Sequence, residues 1–128
     1  VVATFKATEQ LTFILNYDWA RQENATSLVD GSTIKANWSG VAAYVNYQPS
    51  EQWRWSLRAE YLDDEDGYRT GVIQEWKEAT LTLAYLPTES AEIRMEVRGD
   101  RSDESSFVES NGAKKDQNSA GLEVIFKF

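Results

Sequence analysis

The stretch Trp53-Arg-Trp-Ser-Leu-Arg-Ala-Glu-Tyr61 alternates apolar side chains with charged or polar ones. This period of two is that of a β-strand, because successive side chains of a strand point to opposite faces of its sheet. One face of the predicted strand carries Trp53, Trp55, Leu57, Ala59 and Tyr61, and the other carries Arg54, Ser56, Arg58 and Glu60. The stretch therefore predicts a strand with one aromatic, apolar face and one charged face.

The same alternation recurs along the chain, and it predicts seven strands in all. The clear cases are residues 11–19, 41–47, 79–85, 91–97 and 120–128, and residues 1–7 show it more weakly. The connections alternate in length, which is typical of a meander with turns at one end and loops at the other. The short connections are residues 8–10, 49–52 and 87–90, and the long polar ones are about 20–36, 62–78 and 99–118.

The charged faces of these strands favour a membrane barrel over a soluble one. A soluble barrel of 128 residues has no room to bury such a charged set, whereas a transmembrane barrel places it in a hydrated lumen and its apolar face in lipid. The fold class predicted is therefore all-β, an antiparallel transmembrane β-barrel, with residues 1–128 forming one barrel domain or the C-terminal segment of a larger barrel. Aromatic residues at strand ends predict a lipid-facing girdle of Trp19, Tyr47, Trp53, Tyr61, Tyr85 and Phe128.

Composition excludes several classes of function. The 21 acidic residues outnumber the 13 basic ones, so no basic surface is available to neutralise nucleic-acid phosphates. The chain has no cysteine and no histidine, and therefore no disulfide, no thiolate zinc site and no histidine proton shuttle. Glu60 and Glu96 could imitate a glycosidase pair, but nearby arginines would keep both ionised, which a general acid cannot be. We therefore predict no enzyme and no cofactor.

Three segments resemble the C-terminal part of the β-barrel porins of Gram-negative outer membranes. They are residues 57–71, residues 80–85 together with 93–102, and the terminal Val124-Ile-Phe-Lys-Phe128. The resemblance implies a place in the cell outer membrane, with the lipid bilayer as surroundings. It also implies that Val124, Phe126 and Phe128 form the insertion signal read by the outer-membrane assembly machinery. Members of the family are longer, so upstream strands or a homo-oligomer would have to complete the barrel.

The charged face is the candidate pore lining. Opposed arginines and glutamates would set the ion preference of a pore, or would merely tie neighbouring strands together as a cross-strand ladder. Four arginines against three glutamates predict a slightly positive wall below acidic loops. The candidate residues are Arg54, Arg58, Glu60, Glu92, Arg94, Glu96 and Arg98.

Residues 63–67 place four carboxylates before a glycine, which makes Asp64 and Asp66 a weak Ca²⁺ candidate. The spacing is not that of an EF-hand, and a solvated acidic loop is the favoured interpretation.

These observations predict a porin, a passive diffusion pore for small hydrophilic solutes or ions. Two alternatives stay open. One is a membrane-barrel scaffold that houses a partner, such as an electron-carrier conduit. The other is a soluble carbohydrate-binding β-sandwich that uses Trp53, Trp55 and Trp76 as stacking platforms.

Overall fold

The computed structural model describes residues 1–110 and 112–128. Its elements are strands, and no helix in the described part of the chain is long and apolar enough to cross a membrane. The strands are β1 (Val2–Lys6), β2 (Leu11–Thr26), β3 (Thr33–Tyr47), β4 (Trp53–Asp64), β5 (Gln74–Thr88), β6 (Ala91–Ser102), β7 (Phe107–Glu109), β8 (Gly112–Lys114) and β9 (Asp116–Phe126).

Seven of these strands form one antiparallel sheet in the order β1-β2-β3-β4-β5-β6-β9, and β7 pairs with β8 as a separate hairpin. The predicted set of seven antiparallel strands is confirmed. A β-sandwich needs two stacked sheets, so the sandwich alternative is wrong for this chain. Within the described residues β1 and β9 do not pair with each other, and the sheet is an open part of a barrel.

The strands reach further than the sequence predicts, so the three long connections are shorter. They cover residues 27–32, 65–73 and 103–115, instead of about 20–36, 62–78 and 99–118. Directly opposite residues such as Gln22↔Ala36 and Glu78↔Asp100 extend the ladder into segments that are polar on both faces. Polarity stops alternating there although the ladder continues, which is why the pattern alone ends the strands too early.

The sheet exposes apolar side chains on one face and buries charged ones on the other, which is the reverse of a soluble protein. We call the face of Trp55 and Leu57 the outer face and the face of Arg54 and Arg58 the inner face. On the outer face large apolar side chains are exposed, with Trp55 50% and Val97 54% accessible. On the inner face charged side chains are buried. Such inside-out burial is expected where lipid covers the outer face.

The apolar band on the outer face is inclined to the hydrogen-bond rows. One row runs from Leu11 on β2 to Leu122 on β9 through directly paired residues. On β2 the apolar run is centred near Leu15, four residues from Leu11 towards the loop end. On β9 it is centred near Val124, two residues from Leu122 towards the turn end. A drift of about six residues over five strand-to-strand steps corresponds to a strand tilt of about 40°. Strands of outer-membrane barrels tilt by 35–45°.

Candidate functional site

A row of three carboxylates crosses the inner face towards the loop end of the sheet. Glu60, Glu78 and Asp100 are direct neighbours on β4, β5 and β6. The adjacent row carries Arg58 and Arg98 on either side of Thr80. Strand alternation thus stacks a cationic row beside an anionic one, which places each arginine within reach of the acids. We call these five charged residues the upper cluster.

The upper cluster is closely paired. Arg58 Nη2 lies 2.6 Å from Glu78 Oε2 and 3.0 Å from Glu60 Oε2. Arg98 Nη2 lies 2.8 Å from Asp100 Oδ1, which also accepts a 2.9 Å hydrogen bond from the indole of Trp76. Since Glu78 and Asp100 are buried, these partners replace the water that the two carboxylates lose.

A second group, the lower cluster, lies towards the turn end and is centred on Glu92. This side chain is 3% exposed, and its Oε1 lies 2.5 Å from Arg54 Nη2 and 2.9 Å from Arg94 Nη2. Arg94 also reaches Glu123 on β9, at 3.1 Å. Lys127 Nζ lies 4.0 Å from Glu92 Oε2. The lower cluster therefore joins β4, β6 and β9 through charge.

A row with two hydroxyl residues and one glutamate separates the two clusters. Ser56, Thr82 and Glu96 lie between them, and Thr82 Oγ1 donates a 2.9 Å hydrogen bond to Glu96 Oε2. Glu96 is exposed. The gap forms a polar recess of about 250 Å³ that is flanked by Arg54 and Arg94.

All seven candidate pore-lining residues lie on the inner face, which also carries the carboxylates of Glu78, Asp100, Glu123 and Asp18. Glu78 and Asp100 were assigned to the loops 62–78 and 99–118, and Glu123 was not a candidate. The alternation itself could have placed Glu78 and Asp100 on the inner face, because Glu78 lies two residues before Thr80 and Asp100 two residues after Arg98. With Glu78, Asp100 and Glu123, the two clusters and the gap between them hold six carboxylates against four arginines and Lys127, so these groups do not carry the expected excess of positive charge.

The predicted girdle and insertion residues that belong to strands lie on the outer face, and Phe128 lies beyond the end of β9. Trp19, Tyr47 and Trp53 are exposed, and Tyr61 and Tyr85 are half-buried. The rings of Trp53 and Tyr85 lie 4.8 Å apart, and Lys77 Nζ lies 5.6 Å from the ring centre of Tyr61. The insertion residues Val124, Phe126 and Phe128 are all exposed.

Asp64 and Asp66 organise the loop 65–73. Asp64 is fully buried and accepts hydrogen bonds from the backbone N–H groups of Arg69 and Thr70 and from the Thr70 hydroxyl. Asp66 Oδ2 accepts a 2.8 Å bond from the backbone N–H of Asn37 on β3. The expectation of a solvated acidic loop is therefore wrong for Asp64. Among residues 1–110 and 112–128 no group of three or more acidic side chains is placed for a metal ion.

Two loops place aromatic rings on tryptophans of the inner face. Tyr68 stacks on Trp38 at 5.6 Å, and Phe107, at the root of the β7–β8 hairpin, meets Trp76 edge-on at 5.1 Å. Gln74 Oε1 accepts hydrogen bonds from the hydroxyls of Ser102 and Ser106. The loop end of the sheet thus carries aromatic and hydrogen-bond contacts between loop residues and the inner face.

The connection 27–32 contains hydrogen bonds of its own. Hydrogen bonds from the Ser32 hydroxyl and from the backbone N–H of Ser32 lower the pKa of Asp30.

Comparisons with known proteins agree with this geometry. The sequence profile of the family described as "Putative beta-barrel porin-2, OmpL-like" matches residues 1–128. Among solved structures, the chain is similar to one titled "NanC porin structure in rhombohedral crystal form", with 20% sequence identity and a TM-score of 0.73. The match covers 99% of this chain and 61% of that one, so the chain spans less than two thirds of that porin. No curated protein sequence matches the chain.

Proposed function

Because the chain belongs to the OmpL-like β-barrel porin family, we propose that it forms part of the wall of a passive pore for small hydrophilic solutes and ions. The family is an outer-membrane porin family of Gram-negative bacteria, and porins are not enzymes as a class. The observation that carries the proposal is inside-out burial: Trp55 and Val97 are exposed outside while Glu78 and Glu92 are buried inside. A lipid-covered barrel around a hydrated lumen accounts for both faces.

Closure of the pore needs additional strands. Both β1 and β9 run from the loop end to the turn end, so pairing them directly would give a parallel contact. An odd number of further strands restores antiparallel pairing throughout and gives the even total of bacterial barrels. These strands also satisfy the edge N–H and C=O groups, which cost several kcal/mol each in lipid. We propose that more of the same polypeptide supplies them, and that the assembly machinery reads Val124, Phe126 and Phe128 during insertion.

Planar-bilayer recording tests the pore directly. The intact purified protein should give stepwise, ohmic currents in 1 M KCl, and vesicles containing it should swell in small sugars but not in large dextrans. A protein that inserts into the bilayer and conducts nothing would contradict the pore and would favour the scaffold alternative, in which a bound partner fills the lumen.

The ion preference should respond to the lower cluster. Replacing Arg94 with Ser leaves Glu92 paired with Arg54 but frees Glu123, so cation permeability over anion permeability should rise. We expect a rise of about twofold, equivalent to roughly 0.4 kcal/mol, measured by reversal potential across a salt gradient. Glu96→Gln, which removes an exposed acid, is the matched control and should shift the potential the other way. Equal potentials in both variants would mean that these charges only tie strands together.

The orientation of the sheet can be tested by labelling, because the chain has no native cysteine. Single cysteines at the exposed positions Glu104 (loop end) and Glu89 (turn end) provide a matched pair. A membrane-impermeant maleimide added to intact cells should label Glu104→Cys and should leave Glu89→Cys unlabelled until the cells are lysed. The reverse labelling pattern would invert the topology.

A further inference from the structure

A depression of about 450 Å³ lies on the inner face beside the upper cluster. Trp38 and Tyr44 of β3 form its two aromatic walls, six residues or about 20 Å apart along the strand. Gly40 and Ala42, which lie between them on the same face, add almost no side-chain bulk. The depression is therefore a trough between two rings, with a volume in the ~300–1,000 Å³ range of small-molecule sites. We call it the Trp38 depression.

The aromatic walls are half-buried and one of them is held in place. Tyr68 stacks on the indole of Trp38, with 22° between the ring planes. This contact restricts the indole before any solute arrives, which lowers the entropic cost of binding. Aromatic rings suit solutes with a flat array of C–H groups, because such groups pack against a ring face without losing hydrogen bonds.

Polar groups with planar ends complete the lining. Asn16, Asp18 and Glu60 offer amide or carboxylate oxygens, and Arg69 offers donors. Asn16 Nδ2 donates a 2.7 Å bond to Asp18 Oδ2. Asn16 Oδ1 is a buried side-chain acceptor that has no hydrogen-bond partner in the described part of the chain. This acceptor is not exposed to the depression, so the charged groups that a solute can reach there are the Asp18 and Glu60 carboxylates and the Arg69 guanidinium.

The charges around the depression select against anions. Asp18 and Glu60 oppose a single cation, Arg69, within the lining. Glu60 is already paired with Arg58, and Glu78 lies beside it in the next strand. A carboxylate or phosphate on the solute would therefore meet a negative surface.

We infer that the Trp38 depression binds one ring of an uncharged sugar, with its C–H face against the indole of Trp38 and its hydroxyls on Asp18 and Arg69. The inference rests on the proposed pore, in which the depression lies beside the solute path near the loop-end mouth. Such a site would raise the local concentration of the sugar and speed its passage at low external levels.

The test is block of the current through the intact protein by D-glucose, with D-glucuronate as an anionic sugar of nearly the same shape. Glucose should block in a saturable manner, and glucuronate should need at least about fivefold more. Trp38→Ala should raise the half-blocking glucose concentration about three- to tenfold, the size of one aromatic contact. Gly40→Val should remove the block, because a Cβ at Gly40 meets only ordinary contacts and its methyls fill the trough.

Gly121→Val is the matched control. It adds the same bulk to the inner face beside Glu96, where nothing lies within 4 Å of the new Cβ, so its half-blocking concentration should stay within twofold of the wild-type value. An open channel without saturable glucose block, or one that glucuronate blocks equally well, would overturn the sugar site while leaving the pore intact. If no channel forms, the pore fails, and glucose titration of Trp fluorescence in detergent then decides the site by comparing wild type with Gly40→Val.

Discussion

Replacing Arg58 with Leu should lower the free energy of unfolding by about 3 kcal/mol. The substitution removes both ion pairs of the guanidinium and leaves Glu78, only 3% exposed, as a buried charge without its cation. Breaking a buried pair by removing one partner costs ~3–5 kcal/mol, and the lower end applies because Arg58 itself is 35% exposed. The measurement is urea unfolding of the intact protein folded into lipid vesicles.

A double variant separates lost pairing from lost packing. Arg58→Leu combined with Glu78→Leu removes both charges, so most of the lost stability should return. Arg101→Leu serves as a control, because Arg101 is an exposed arginine at the loop end of β6. Its loss should cost less than about 0.5 kcal/mol. If Arg58→Leu proves as mild as Arg101→Leu, the upper cluster contributes little to holding the wall together.

The side chains that share a face on β2, β3, β4, β5, β6 and β9 could be predicted from the sequence, whereas the strand ends could not. A period of two survives wherever lipid covers one face, because a charge on that face is costly, as in the alternation of Trp53 to Tyr61. Beyond the lipid both faces of a strand meet water, so the alternation of apolar and polar side chains disappears. Glu78 and Asp100 lie just past that boundary, and they were therefore counted as loop residues although they pair with the arginines of the wall.

The contacts that order the mouth were invisible in the sequence for a different reason. Asp64 is buried because the loop 65–73 wraps its backbone N–H groups around the carboxylate, and no local pattern predicts that closure. Trp38 lies between the predicted loop 20–36 and the predicted strand 41–47, so the sequence pattern did not place it on the inner face. Both cases depend on tertiary packing, which a period along one strand does not report.

Replacing Leu83 with Arg should cost about 2–4 kcal/mol, the price of a cation near the midplane of the lipid. Leu83 pairs with Trp55 on one side and Met95 on the other, and both of these neighbours are at least half exposed on the outer face. An arginine there would have no carboxylate beside it in its own row. The free energy of unfolding from lipid vesicles measures the cost.

The matched control is the adjacent residue, Thr82, which lies on the inner face and donates a hydrogen bond to Glu96. An arginine at Thr82 would stand in water opposite that carboxylate, so Thr82→Arg should cost less than about 1 kcal/mol. One step along β5 then changes the penalty several-fold, which no soluble sheet with water on its outer face would show. Equal penalties at Leu83 and Thr82 would mean that the outer face does not meet lipid, and the membrane placement of the whole sheet would have to be abandoned.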